Sequence, residues 1–210
     1  MTRFVGDYPS ATLVDQLAGV YLAHGTDIRA VLQRLVASPE FQQSAGRKYR
    51  TPVDDLVATA RALQVRAKRP TSGRSFAHQI THQHRGLPLY QWPRPDGAPE
   101  RNADWASAAR MLSSFRMHWD LASGGHPARD VKYRKPQRWL PRKKLRLDRY
   151  VDHLSRTLLG RRSTKTMLKA VCQATGFTPD EVVDRHHPLA RGDFVRVAAA
   201  LLDSPAHLTR

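Results

Sequence analysis

The chain has 210 residues, 40% of them apolar, a single cysteine and a formal net charge of +17, which fits one full domain with at most a small appendage. No apolar run approaches the ~18 residues of a membrane span, and Met-Thr-Arg-Phe-Val-Gly-Asp-Tyr-Pro-Ser at the start has no apolar signal-peptide core. A lone Cys172 excludes an intrachain disulfide framework and a cysteine-based zinc site. The charge is also segregated: residues 46–85 hold nine Lys/Arg against two acids, and residues 125–165 hold fourteen against three. Two such blocks suit a polyanion (nucleic acid or acidic polysaccharide) or an anionic membrane surface. The competing reading is that they are solvated, partly disordered basic segments.

Pro9-Ser10 opens a first predicted helix, with Ser10 as N-cap and Leu13, Leu17, Val20 and Tyr21 at helical spacing. His24-Gly25 ends it, and Thr26-Asp27 opens a second with Ile28, Val31, Leu32, Leu35 and Val36 on one stripe. Ser38-Pro39-Glu40 then reads as a helix end that restarts as a short turn, the proline at the first helical position. Thr51-Pro52 is a stronger start signal, followed by Asp54 and Asp55 in the first turn, where the helix dipole favours them. Val53, Leu56, Val57, Ala60 and Leu63 are the expected buried face of that helix. Arg66 to Arg74 reads as a basic loop, and Ser75 to His84 as a moderate helix.

Residues 86–105 concentrate four prolines, two glycines, Tyr90, Trp92 and Trp105. Proline fixes φ and lacks an N–H, so the stretch is neither a helix nor an interior strand. Its large apolar side chains instead indicate a stiff, aromatic-anchored loop that staples neighbouring helices. Asn102 to Ala122 is the longest expected helix, with Trp105, Ala109, Leu112, Phe115, Trp119 and Ala122 as its inner stripe. Residues 124–146 are rich in Gly, Pro, Arg and Lys without a sustained period, and an extended, mobile segment is expected there. Helical pattern resumes at Leu147, Val151, Leu154 and Leu158, continues at Thr164 to Thr175, and closes with Phe194, Val197, Ala198, Leu201 and Leu202. Thr178-Pro179-Asp180-Glu181 has the form of one more helix opening. No stretch alternates over a strand's length, so the expected class is all-α: residues 1–123 a helical domain, 124–146 a basic extended segment, 147–210 C-terminal helices packing on the first part. Leu201-Leu-Asp-Ser-Pro205 echoes Leu35-Val-Ala-Ser-Pro39, which a shared stop-and-restart device explains without duplication.

Three pieces together carry a family likeness: Val31 to Phe41, the helix opened by Thr51-Pro52, and Gly86-Leu-Pro-Leu-Tyr-Gln-Trp-Pro-Arg-Pro-Asp-Gly97 with Trp105 and Arg116. The chain resembles the C-terminal portion of the domain-of-unknown-function 1800 family, large uncharacterised bacterial proteins, over residues 13 to 122 and weakly in the closing Leu-Leu-x-Ser-Pro segment. The resemblance implies a mostly helical fold. It also implies export, because family members often carry a signal and occur beside a second secreted family resembling sulfatases. No catalytic residues are established for the family, so the resemblance assigns none. The expectation for this copy is a shortened relative lacking the family's N-terminal half, cytoplasmic by the absence of a visible signal.

His78, His82 and His84 form a metal-like cluster, with His78 and His82 on one helix face. No acid lies between Asp55 and Asp96, however, and a solvated polar face is the simpler reading. His186-His187 reads as a structural pair, and Cys172 as a mid-helix inert thiol. No Gly-x-Ser-x-Gly, phosphate-cradling loop or dinucleotide fingerprint is present, and no cofactor is implied. The basic run has more content: Lys132, Arg134, Lys135, Arg138, Arg142, Lys143 and Lys144 interleave with Tyr133 and Trp139, so that cations neutralise phosphates while aromatics stack on bases. Tyr90, Trp92, Trp105, Arg116 and Trp119 are the expected structural anchors. The sequence therefore points to a non-enzymatic helical interaction module with non-specific affinity for nucleic acid or acidic polysaccharide, and an unknown protein partner is also compatible. The alternatives are a metal-dependent or hydrolase-type enzyme using the His78 cluster, and an inactive remnant of a longer protein.

Overall fold

The computed structural model describes residues 1–69, 92 and 94–210. Among them are ten α-helices and two small two-stranded sheets, so the protein is mostly helical. The expected helix over residues 75–84, with His78, His82 and His84, and most of the proline-aromatic string including Tyr90, lie outside the described residues.

The N-terminal elements form where their caps dictate. Helix α1 (Ala11–Ala23) has Ser10 Oγ accepting from Leu13 N, and α2 (Ile28–Val36) has Asp27 accepting from Arg29 N. The short α3 (Pro39–Gln42) begins at Ser38, whose hydroxyl accepts from Phe41 N and donates to Leu35 O. Leu13, Leu17 and Leu35 close over Val5 as a small apolar cluster. Glu40 of α3 accepts from both the backbone N–H and the hydroxyl of Ser10, at 2.9 and 2.6 Å, tying α3 to the start of α1.

The main core is built around α4 (Pro52–Ala62), α6 (Ala108–Ser123), α7 (Leu147–Leu159), α8 (Lys165–Thr175) and α9 (Phe194–Leu202). Thr51 caps α4 as expected, accepting from Asp54 N, a contact of the kind that contributes about 1 kcal/mol. Leu147, Val151 and Leu154 of α7 and Val197, Ala198, Leu201 and Leu202 of α9 are completely enclosed, as their spacing requires. Gly160 and Gly176, at φ of 68° and 78°, end α7 and α8 in the left-handed conformation that glycine adopts without a Cβ penalty.

Several features differ from expectation. The expected helix Asn102–Ala122 is two helices, α5 (Asn102–Trp105) and α6, broken where Ser107 caps the second. The inner face of α6 is Ser114, Met117, His118 and Leu121, whereas Leu112 and Trp119 of the expected stripe are 67% and 46% exposed. Arg116 likewise projects outward and pairs with Asp120 one turn on, so neither Arg116 nor Trp119 anchors the core. Thr178 to Glu181 opens no helix. Its Pro179 and Glu181 carbonyls accept from Asp148 N and Leu147 N, satisfying the orphan donors at the start of α7, and the chain continues into a strand.

Segment 124–146 is built structure. It contains β2 (Val131–Lys132), a 3₁₀ turn (Pro136–Trp139) and β3 (Lys144–Arg146). β2 pairs antiparallel with β1 (Arg66–Ala67), and β3 pairs with β4 (Val182–Asp184). Elements of two or three residues leave no hydrophobic period, which is why the sequence reads as extended there. Trp139 is 1% exposed and stacks on Phe194, ring centroids 5.5 Å apart at 16°. It is therefore a core residue and not a platform for bases.

Past α9 the chain repeats the stop-and-restart device of residues 35–39. Ser204 Oγ donates to Leu201 O, and α10 (Pro205–Leu208) begins at Pro205. Residues 208–210 then run beside 48–50, with Arg50 N donating to Leu208 O and Arg210 N to Lys48 O. Lys48 itself is 3% exposed, its ammonium held by Asp7 Oδ1 at 2.6 Å and by the Glu100 carbonyl. That contact fixes the end of the proline-rich loop, where Trp105 meets Trp92 edge-on at 6.3 Å and donates to Pro99 O.

Candidate functional sites

Two places in the fold gather chemistry. The first is a buried polar centre where α4, α6, α9 and α10 meet. Asp55 of α4, placed one turn into the helix by the Thr51 cap, points inward and has no exposed surface. Its Oδ1 faces His118 Nε2 at 3.0 Å and His207 Nε2 at 3.5 Å, and its Oδ2 accepts from Ser114 Oγ at 2.7 Å and Arg110 Nη2 at 3.2 Å. His118 Nδ1 meets Asp203 Oδ1 at 2.7 Å. Asp203 stands at the C-terminal end of α9, where the helix dipole disfavours an acid, and His118 supplies the compensating positive charge. His207 packs edge-on against His118 at 5.2 Å and shares a 2.8 Å hydrogen bond with Thr59 Oγ1. Its carbonyl accepts from Arg50 Nε.

Burial alone would strip the proton from His118, but hydrogen bonds to Asp203 and Asp55 outweigh it and raise the pKa above the ordinary histidine value. Burial would raise the Asp55 pKa, and the bonds from His118, His207 and Ser114 instead hold it far below the carboxylate range. His207, pushed by burial and by the His118 charge, titrates below the ordinary value. His118 is thus the group held toward its charged form, between the carboxylates of Asp203 and Asp55, and His207 the one held toward its neutral form. The raised His118 pKa makes a stability contribution that is complete below the unfolded-state value near ~6.5 and is lost as pH rises through the folded-state value. His207 is neutral in both states above about pH 7 and adds no slope there. Unfolding free energy in chelator-containing buffer is therefore expected to fall as pH rises above about 7, and His118→Gln flattens that decline. Denaturant titrations at several pH values check it, and equal slopes in the two proteins would contradict it.

A cavity of about 230 Å³ reaches this centre from outside, lined by Asp55, Arg110, Ser114, Met117 and Trp105 among others. No Ser–His–Asp arrangement results, because His118 Nε2 is directed at Asp55 and not at a hydroxyl. Asp55, His118 and His207 each present one ligand atom, all within 4.8 Å of one another. Sequence reasoning missed every member: Asp55 was accounted for by the helix dipole, and His118 and His207 have no local partner in sequence. One signal was present, namely that Arg110, Ser114, His118 and Leu121 recur at helical spacing on one face of α6.

The second place is a basic groove of about 390 Å³ lined by Gln64, Arg66, Lys132, Tyr133, Arg134 and Arg138. The β1–β2 pairing sets Arg66 opposite Lys132 and so brings the two basic blocks of the sequence together. Arg134 lies over the Trp139 ring at 4.3 Å and donates to Gln64 Oε1 at 3.0 Å, which fixes one wall. Of the other predicted cations, Lys135, Arg142, Lys143 and Lys144 are exposed but do not line the groove. Among the described residues no carboxylate lines it.

Fold and sites together define a mostly helical protein with a buried Asp–His centre and a basic groove. A family model described as a protein of unknown function (DUF1800) matches residues 1–209, and the chain belongs to that family. The match runs well beyond residues 13 to 122, which carry the resemblance in the sequence. No curated protein and no solved structure matches. No helix among the described residues is long and apolar enough to cross a membrane.

Proposed function

We propose that this protein is a non-enzymatic helical binding module whose basic groove takes up a polyanion through its charged backbone. The observation that carries the reading is the convergence of Arg66, Lys132, Arg134 and Arg138 on one groove, from segments more than sixty residues apart. Burial of Trp139 removes one of the two aromatic side chains on which bases would stack. Recognition then rests on closely spaced anionic groups, which nucleic acid and sulfated polysaccharide both present.

The test measures binding of a single-stranded DNA oligonucleotide and of a sulfated oligosaccharide by fluorescence anisotropy at low salt. Arg66→Ser with Lys132→Ser weakens binding on the order of tenfold. Arg161→Ser with Arg162→Ser, exposed in the same basic block but outside the groove, changes it little. Equal losses in the two double variants would mean a diffuse positive field and not a groove. Absence of binding to both polymers would refute the proposal outright.

A further inference from the structure

We propose that Asp55, His118 and His207 form a three-ligand site for one divalent transition-metal ion of the zinc class. The two spacings at Asp55 are those of a coordination sphere. With metal–ligand bonds of about 2.1 Å, neighbouring ligand atoms stand about 3.0 Å apart at a right angle and about 3.4 Å apart at a tetrahedral angle. The two edges that meet at Asp55 Oδ1 measure 3.0 and 3.5 Å. The ligands come from α4, α6 and α10, three elements held together by the main core and by the pairing of residues 48–50 with 208–210.

The surroundings are organised in the same way. Ser114 and Arg110 occupy Asp55 Oδ2, so the carboxylate offers Oδ1 as a single donor. Asp203 on His118 Nδ1 fixes the ring orientation and directs Nε2 at the site, the carboxylate–histidine arrangement that accompanies ligating histidines. The Arg50 contact to the His207 carbonyl holds α10 in register. Two imidazoles and one carboxylate suit zinc, cobalt, nickel or ferrous iron over magnesium or calcium, which take all-oxygen sets. Thr59 Oγ1 hydrogen-bonds His207 Nε2 at 2.8 Å, a contact that gives way when that nitrogen takes the ion. Binding displaces the proton that His118 Nε2 shares with Asp55, and that proton leaves to solvent. The cavity beside Arg110 and Ser114 reaches one of the three ligands, Asp55.

The experiment uses the whole chain, stripped with chelator and titrated with zinc by calorimetry and with cobalt by visible absorption. One equivalent binds with micromolar or tighter affinity, and the cobalt adduct shows ligand-field bands of a nitrogen–oxygen site. His207→Gln lowers affinity about 100-fold, and Asp203→Asn, a change at a positioning residue, about 10-fold. His153→Gln, away from the cluster, leaves binding unchanged. Failure of the unaltered chain to bind one equivalent would overturn the proposal without recourse to any variant. Binding that survives His207→Gln but is lost on changing His78 and His82 would place the ion elsewhere and overturn it equally.

Discussion

Asp55→Ala is expected to lower the unfolding free energy by about 3–5 kcal/mol. The carboxylate is fully enclosed and is the common acceptor for His118, Ser114 and Arg110, with His207 alongside. Removing it leaves the His118 imidazole and the Arg110 guanidinium without the carboxylate that both address. The large cost is the penalty of that uncompensated charge, not the net contribution of the ion pairs, which desolvation largely offsets. Asp54→Ala is the matched control. Asp54 neighbours Asp55 in the same helix turn but is 23% exposed, and its partner Arg210 at 2.9 Å is partly solvated. Exposed pairs of that kind contribute about 0–1 kcal/mol. Urea denaturation compares the two variants, and equal losses would mean that Asp55 serves only the helix dipole.

Trp139→Ala is expected to cost about 3–5 kcal/mol, as removal of a fully buried indole does. The ring packs from the 3₁₀ turn against α9, stacked on Phe194, and the Arg134 guanidinium lies over it. The variant therefore loses core packing and a groove wall together. Trp139→Phe keeps an apolar ring against Phe194, retains most of the stability and leaves polyanion binding close to that of the parent. A surface tryptophan that stacks on bases would behave in the opposite way, with unchanged stability and lost binding. Denaturant melts of both variants, followed by anisotropy on Trp139→Phe, separate the two cases.

The helical class and many of the element starts were legible because they depend on local chemistry. Ser10, Asp27, Ser38 and Thr51 cap the helices they precede, and the apolar periods of α7 and α9 are buried as written. Long-range pairing was not legible. Arg66-Ala67 and Val131-Lys132 are each too short to show alternation, and their partnership joins segments whose proximity no local pattern announces. The same blindness applies to the buried centre. On α6 the apolar stripe with Leu112 and Trp119 looked like the inner face, but the packed face is the one carrying Ser114 and His118. A polar residue on a core face is favourable when its partner is present, and the partners Asp55, Asp203 and His207 are supplied by other helices. The Ser-Pro echo was visible as a device that stops and restarts a helix. Its consequence, that the second copy delivers His207 to Asp55 as the first delivers Glu40 to Ser10, appears only in three dimensions.

The most direct test of the groove is the salt dependence of single-stranded DNA binding by the unaltered chain. Four cations acting together on one backbone predict that log Kobs falls linearly with log salt concentration at a slope of about −3. Removing Arg66 and Lys132 should bring that slope to roughly −1.5. A slope near zero, or one that the double variant leaves unchanged, would contradict a groove in which these residues meet the polyanion.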